Sequence, residues 1–452
     1  MSKAPNMTAG SPARLILMLA LPMVAGNLLQ QLFYIAESVL VGRFVGKEAL
    51  AAMGAALPIL NPVLNFIIGG CVGVSVVIAS LLGAGDTARI KTLIAGSLLW
   101  GGIFCAGFTA LCVALTDPVL KLTGVPMELY AQTRAYLTVA ISSVLFAFIC
   151  NFCFCAMRAM GDSRTPFLIQ LAGILVNLLL DLLLVVRLSM GLWGSAWALF
   201  VTNAAGAVFC LWYTRRAFPL FAVGREDLRA DRELTMSALR YGALTAFQYV
   251  SFHMGKLVIQ RVINGFGTDT IAAYNAGTRI DTLIFNITST IGAAVTTYSA
   301  QNQGAGLYGR IRAGFKQAVM LSEGYCVFVS ALVLLFAGPI VGIFVPAQES
   351  AVVAIGAEYL TLMAILYPLA GMGDAFQGLS RGTGWPANSL VVTWIQMFFR
   401  IWLSFTLAPR LGAVAVAWAT GVGWIAVQAY HWYYYKRYVS DPRSLQTARE
   451  GS

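Results

Sequence analysis

The sequence predicts an all-α polytopic membrane protein with twelve transmembrane helices in two pseudo-symmetric six-helix lobes. Three observations carry that prediction. The 452 residues are 59% hydrophobic and 11% charged, whereas a soluble domain is about 45–50% apolar and about 25% charged. Apolar runs of about 20 residues, enough to span a bilayer, recur from one end to the other. The second half of the chain also repeats the first.

Taken in order, spans are expected at 14–40, 50–82, 90–115, 131–157, 166–187 and 192–213, then at 237–262, 270–303, 314–338, 352–380, 386–408 and 412–435. The first apolar run starts near Leu15 and continues as a full span, so it does not read as a cleavable signal. Between the two sets lies the longest polar stretch, 214–236, with Arg215, Arg216, Arg225, Arg229 and Arg232 beside Glu226, Asp227, Asp231 and Glu233. It reads as a linker. The expected organisation is an N-lobe at 14–213, a cytoplasmic linker at 214–236 and a C-lobe at 237–435.

The net charge of +11 has a geography. Of 30 Lys and Arg, 20 fall on the side shared by the N-terminus, the linker and the C-terminus. Six (Arg43, Lys47, Lys121, Arg187, Arg261, Arg410) fall on the other side, and four (Arg134, Lys256, Arg279, Arg400) lie within spans. The positive-inside rule then places both termini in the cytoplasm, consistent with an even number of spans. Membrane anchoring accounts for the basic loops, and no nucleic-acid partner is expected. The eight cysteines sit in apolar runs, including Cys150 and Cys153 with no second CxxC, and read as small buried residues.

Residues 46–90 align with 267–311 without a gap, with 13 identities in 45 positions. Gly83-Ala84-Gly85 meets Gly304-Ala305-Gly306, and Arg89-Ile90 meets Arg310-Ile311; near the same offset Pro166 meets Pro386. Two halves of the same topology, related by an axis along the membrane normal, are typical of transporters.

Ionisable groups inside spans cost about 2.5–3.5 kcal/mol each on insertion scales and point to function. Here they are Glu37 in span 1, Asp181 in span 5, Lys256 and His253 in span 7, Arg279 and Asp281 in span 8, Glu323 in span 9 and Asp374 in span 10. Asn177 stands four residues before Asp181, on the same helix face. Arg279 and Asp281, two apart, cannot face each other, and each either pairs with another helix or meets substrate. Lys256 either neutralises a nearby acid or meets substrate. Glu37 and Asp181 together place two carboxylates in one half. In a low dielectric they cannot both stay ionised without a neutralising proton or small cation such as Na⁺. Pro22 in span 1, and Pro58 and Pro62 in span 2, either fix a bend or allow the bend to change. Gly69/Gly73 and Gly378/Gly382 permit close helix packing.

No HExxH, P-loop or GxSxG occurs, so no enzyme, cofactor or structural metal is expected. Without a nucleotide site the driving force must come from an ion gradient or a partner.

Several motifs, in order, are shared with one family: Ala20-Leu21-Pro22, Gly26-Asn27-Leu28-Leu29-Gln30-Gln31-Leu32, Val41-Gly42-Arg43-Phe44-Val45-Gly46, Ala49-Leu50-Ala51-Ala52-Met53-Gly54, Gly83-Ala84-Gly85-Asp86, Met157 to Pro166, Arg279-Ile280-Asp281 and Gln301-Asn302-Gln303-Gly304-Ala305-Gly306. From Arg14 to Tyr435 the chain resembles the multidrug and toxic compound extrusion (MATE) family. The resemblance implies twelve helices in two lobes around a central cavity, and efflux of cationic or amphipathic small molecules in exchange for H⁺ or Na⁺ by alternating access. It implies a monomer whose partners are substrate, ion and membrane lipid. It also implies a cation site at Glu37, Asn177, Asp181 and Thr202, with Pro22 as a hinge. It further implies a substrate cavity holding Asp374 (in Asp374-Ala375-Phe376-Gln377); Asp281, Gln248, Lys256 and Arg279 are further candidates to line it, as are Tyr34 and Phe154, which could equally serve packing. Three departures matter. The span-1 acid is Glu instead of the usual Asp. The span-6 Thr falls near Leu199, with Thr202 three residues on. The span-7 acid of one branch is replaced by a region holding Gln248 and Lys256. These favour H⁺ over Na⁺. Rival readings are a lipid-linked-precursor flippase of the same superfamily, which needs a cationic cavity, an intramembrane transferase, which needs clustered acids or a catalytic His, and a non-transporting scaffold or receptor.

Overall fold

A computed structural model of the chain describes residues 6–224, 226–227, 231–344, 349–412 and 414–439. Arg225 and Arg229 of the linker lie outside them. Fourteen α-helices run through the described residues: α1 (Pro12–Phe44), α2 (Lys47–Ala84), α3 (Thr87–Ala114), α4 (Thr116–Leu122), α5 (Met127–Ser142), α6 (Val144–Ala159), α7 (Arg164–Asp181), α8 (Leu192–Ala217), α9 (Arg232–Ile263), α10 (Thr268–Gly304), α11 (Tyr308–Gly342), α12 (Ser350–Gly382), α13 (Pro386–Leu411) and α14 (Val414–Tyr434). With α5 and α6 forming one bent span and the short α4 lying between spans, these make twelve spans, six before the linker and six after it.

Among the described residues, eight helices are long and apolar enough to cross a bilayer on their own, nine if the bent pair counts as one. Of the other long helices, α9 and α10 are less apolar. The reason for α10 is visible in its burial: Asp281, Thr288, Thr290, Thr296, Ser299, Gln301, Asn302 and Gln303 are all buried along it. A helix covered by its neighbours does not need an apolar surface facing lipid.

The expected unbroken span 131–157 is bent by 42° between α5 and α6. Ser142 and Ser143 at the bend donate their hydroxyls back to the Thr138 and Ala140 carbonyls at 2.7 Å. Such back-bonding competes with the helix ladder and bends it. Span 5 also departs from a plain helix, because α7 gives way at Asp181 to a π-helical turn, Leu182–Arg187. The start of α7 is fixed by Asp162, whose carboxylate accepts from the Arg164 and Thr165 amides at 3.0 Å and from the Thr165 hydroxyl at 2.7 Å. This is N-terminal capping of otherwise orphaned donors. Arg134 is paired with Asp117 on α4 at 2.6 Å. The Arg134 and Tyr130 hydrogen bonds hold the Asp117 carboxyl below its usual range.

The sequence repeat is a backbone repeat. Left-handed glycines recur in pairs: Gly46 and Gly267 precede α2 and α10, Gly85 and Gly306 follow them, Gly161 and Gly384 precede α7 and α13, and Gly191 and Gly412 precede α8 and α14. Each takes a positive φ that side chains rarely tolerate. Equivalent turns therefore separate equivalent helices in both halves.

The chain divides into two compact units, Met1–Asn6 with Leu21–Val250, and Met7–Ala20 with Ser251–Ser452. Both changes of unit fall inside helices. α1 changes at Leu21, beside Pro22, and runs on unbroken through that proline. α9 changes at Ser251. In the first unit α2 meets α9 through small residues: a Cβ on Gly69 would lie 2.7 Å from the Ala246 Cα, and one on Gly73 would lie 2.5 Å from the Gly242 Cα. In the second unit Gly378 and Gly382 of α12 approach Gly292, Thr296 and Ser299 of α10 in the same way. The second unit also holds the segment ahead of α1. Met7 is 0% exposed. Its carbonyl accepts from the Asn302 amide at 3.1 Å and from Arg310 at 3.3 Å, and its N–H donates to Gln301 at 3.2 Å.

Candidate functional site

Two polar clusters stand out, one in each unit. In the first unit Glu37, late in α1, is 5% exposed and accepts a hydrogen bond from the Ser195 hydroxyl of α8 at 2.8 Å. Asp181, the last residue of α7, is 0% exposed, and Asn177, one turn earlier, is 4% exposed. Asp181 lies within electrostatic range of Glu37 and Ser195. The buried phenol of Tyr136 on α5 lies within range of both carboxylates, and Tyr34 within range of Glu37. Four helices thus converge on two acids.

Donors are scarce at this cluster. Both carboxylate oxygens of Asp181 and Oδ1 of Asn177 are buried and accept no hydrogen bond among the described residues. Each unsatisfied buried acceptor costs about 1–3 kcal/mol, more when charged. Ser195 cannot relieve Asp181 while it donates its single proton to Glu37. A set of converging oxygens with too few protons is suited chemically to take up H⁺ or a small hard cation. The π-helical turn places Asp181 at a break in the ladder, a feature frequent at functional sites. Thr202 stands two turns beyond Ser195 on α8. It is half-buried with an unpartnered Oγ1, and its Cγ2 faces Gly173, one turn before Asn177.

The second cluster surrounds Asp281 of α10, which is 6% exposed. Its two oxygens each accept a phenol from α12 at 2.8 Å, Oδ1 from Tyr367 and Oδ2 from Tyr359. Lys256 of α9 and Arg400 of α13 lie within electrostatic range of this carboxylate and of one another. Tyr274 packs edge-on against Tyr359 with ring centroids 5.5 Å apart and adjoins Arg400. A third acid, Asp374, is half-buried and accepts from the Thr288 hydroxyl at 2.6 Å. Arg381 lies within its electrostatic range.

The residues expected to line one substrate cavity are therefore distributed. Tyr34, Phe154 and Gln248 belong to the first unit, and Lys256, Arg279, Asp281 and Asp374 to the second. Gln248 is 5% exposed and Phe154 is half-buried, whereas Tyr34 and Arg279 are exposed. Arg279 and Asp281, two apart, do face different surroundings. Ser195, Tyr136, Tyr359, Tyr367 and Thr288, the groups that partner or crowd the acids, are not singled out by the sequence pattern. A tyrosine inside an apolar span needs a partner for its hydroxyl, and that signal was available for Tyr359 and Tyr367. Ser195 carried none. Among the described residues no group of three or more His, Cys, Asp or Glu side chains is placed to hold a metal ion. All eight cysteines are free and at least half-buried.

Comparison with known proteins fits this architecture. The MatE family profile matches two segments of equal length, 22–183 and 245–406, one in each half. The probable multidrug resistance protein YpnP of Bacillus subtilis is 24% identical over 437 residues, covering 96% of this chain and 97% of that protein. A structure described as MATE in complex with MaL6 superposes with a TM-score of 0.91 at 20% identity, over 98% of this chain and 100% of the other. A MOP superfamily transporter from Pyrococcus furiosus, described as having reversed polarity in its binding pocket, superposes with a TM-score of 0.90 at 19% identity, over 98% and 99% of the two chains. At these identities the superpositions speak for the fold. The profile covers most of the chain, in both repeats: the chain is an all-α, multi-pass membrane protein of the MatE family.

Proposed function

We propose that the protein is a secondary active exporter of structurally varied small amphipathic molecules, coupled to entry of H⁺ or Na⁺ through alternating access. It sits as a monomer in a bacterial inner membrane with both termini cytoplasmic. The names of its relatives support multidrug efflux. The observation that carries ion coupling is the pair of buried acids, Glu37 with one donor and Asp181 with none. In this reading Glu37, Asn177 and Asp181 take the ion, Ser195 orients Glu37, and Thr202 extends the polar track along α8. Departure or arrival of the ion changes the charge beside the part of α1 beyond Pro22, and the proline lets that part bend without breaking a hydrogen bond it does not have. The lobes at 14–213 and 237–435, joined by 214–236, then exchange access from one side to the other. One elementary charge moving across 100 mV supplies about 2.3 kcal/mol. At about 1.4 kcal/mol per tenfold, that sustains roughly a fifty-fold substrate gradient.

Proteoliposomes with imposed pH and Na⁺ gradients test this. Glu37→Gln and Asp181→Asn should each abolish gradient-driven efflux while leaving substrate binding. Undiminished efflux in both variants, at wild-type protein levels, would sink the assignment.

A further inference from the structure

We infer that the second unit selects substrates bearing an anionic group, such as a carboxylate or sulfonate on an aromatic amphiphile, through Lys256 backed by Arg400. This deepens the export reading above and rests on it. Two phenols donate to the two oxygens of Asp281 at 2.8 Å, from residues that are 1% and 0% exposed. Two donated hydrogen bonds favour the carboxylate form of an acid. One carboxylate balances one cation, and two cations lie within electrostatic range of it. The acid within range of Lys256 is Asp281, and that same carboxylate is shared with Arg400. Neither cation makes an ion pair within 4.0 Å among the described residues. The cluster therefore carries one surplus positive charge.

Position separates the two cations. Arg400 is 8% exposed, and its Nε has no hydrogen-bond partner among the described residues. It is a fixed charge in the wall. Lys256 is exposed, with its ammonium 4.8 Å from the centre of the Phe252 ring and His253 nearby. Its ammonium beside an aromatic face offers an anion its countercharge and an apolar body a surface to stack on. A purely cationic amphiphile meets repulsion from the same pair. Asp374 and Glu323 do not offset the surplus. Asp374 is engaged by Thr288 and lies near Arg381, and both acids lie near Cys326, on the α11 side of α12.

Two dyes with the same xanthene core and opposite charge provide the test, namely fluorescein and rhodamine 6G. Equilibrium binding to the detergent-purified full chain, read by fluorescence anisotropy, does not require transport. Wild type should bind fluorescein more tightly than rhodamine 6G by roughly tenfold, the scale of one close charge pair. Lys256→Gln should erase that preference and Lys256→Glu should reverse it. Because Lys256 is exposed, these variants leave the core intact. Equal or tighter binding of rhodamine 6G by wild type, an unchanged ratio in Lys256→Glu, or binding of neither dye would overturn the inference. Displacement of fluorescein by phosphatidylglycerol added to the micelles would assign the cations to a lipid headgroup and overturn it as well. Selective binding without gradient-driven transport in proteoliposomes would leave the selectivity standing and count against export alone.

Discussion

Replacing Tyr367 by Phe removes one oxygen and leaves the ring. Tyr367 is 0% exposed and its hydroxyl donates to Asp281 Oδ1 at 2.8 Å, so the variant isolates a single hydrogen bond in a packed interior. A bond to a charged acceptor contributes about 1.5–3 kcal/mol, and a neutral one about 0.5–1.5 kcal/mol. Tyr367→Phe should therefore cost about 2–3 kcal/mol in the wild-type background. For a cooperative unit of about 200 residues that corresponds to a fall of roughly 5–10 °C in the unfolding midpoint. The decisive measurement is the same substitution in an Asp281→Asn background. A neutral amide accepts more weakly, so the cost should drop by about half, with a coupling of at least ~1 kcal/mol in the double-mutant cycle. Thermal unfolding of the purified protein followed by intrinsic fluorescence gives all four corners of the cycle. Equal losses in both backgrounds would mean that Asp281 is not an ionised acceptor, and the charge count around Lys256 and Arg400 would fail with it.

Two further predictions concern the scaffold. Gly73→Val should destabilise the first unit by about 1–3 kcal/mol or more through overpacking, because even a Cβ at this position would sit 2.5 Å from the Gly242 Cα; the thermal midpoint reports it, and Gly70→Ala, where a Cβ meets open space, is the control. Asn302→Ala should release the segment ahead of α1, since Asn302 donates to the Met7 carbonyl and accepts from Arg310 at 3.1 Å. The expected readouts are faster amide exchange over residues 7–13 and earlier proteolytic clipping there, with a stability loss of about 1–3 kcal/mol.

The spans were legible because lipid imposes one requirement on every one of them, a long apolar run with its backbone bonds satisfied internally. The repeat was legible because its boundaries are glycines that need a positive φ, and Gly85 and Gly306 keep that need in both halves. The bend at Ser143 was not legible, since Ser142 and Ser143 lie within an apolar run and their effect depends on which carbonyl each hydroxyl chooses. The acids were legible one at a time. Glu37, Asp181 and Asp281 are conspicuous in spans because charge is costly there. Their partners were not. Ser195 meets Glu37 across 158 positions of sequence, and a serine in a membrane helix is ordinary. Which phenol reaches which carboxylate is decided by helix packing, and a sequence pattern does not encode that pairing.

The two halves share their turns and differ in their charges, and that difference bears on how such a protein works. Glycine pairs such as Gly46 and Gly267, or Gly191 and Gly412, fix the same chain reversals twice. At the positions equivalent to the acids the repeat is broken: Glu37 aligns with Val258, Asp181 with Ile401 and Asp374 with Phe154. The chemistry on the two sides is also opposite in kind. Around Asp181 there are oxygens without donors, an arrangement whose energy falls when a positive charge arrives. Around Asp281 the donors are complete and cations are in surplus, an arrangement whose energy falls when a negative charge arrives. A duplicated scaffold with two identical sites would give one ligand two equivalent places to bind. A duplicated scaffold with oppositely poised sites offers an ion and a substrate of different charge separate places, and on the export reading proposed above that asymmetry, and not the shared glycines, is what coupling would draw on.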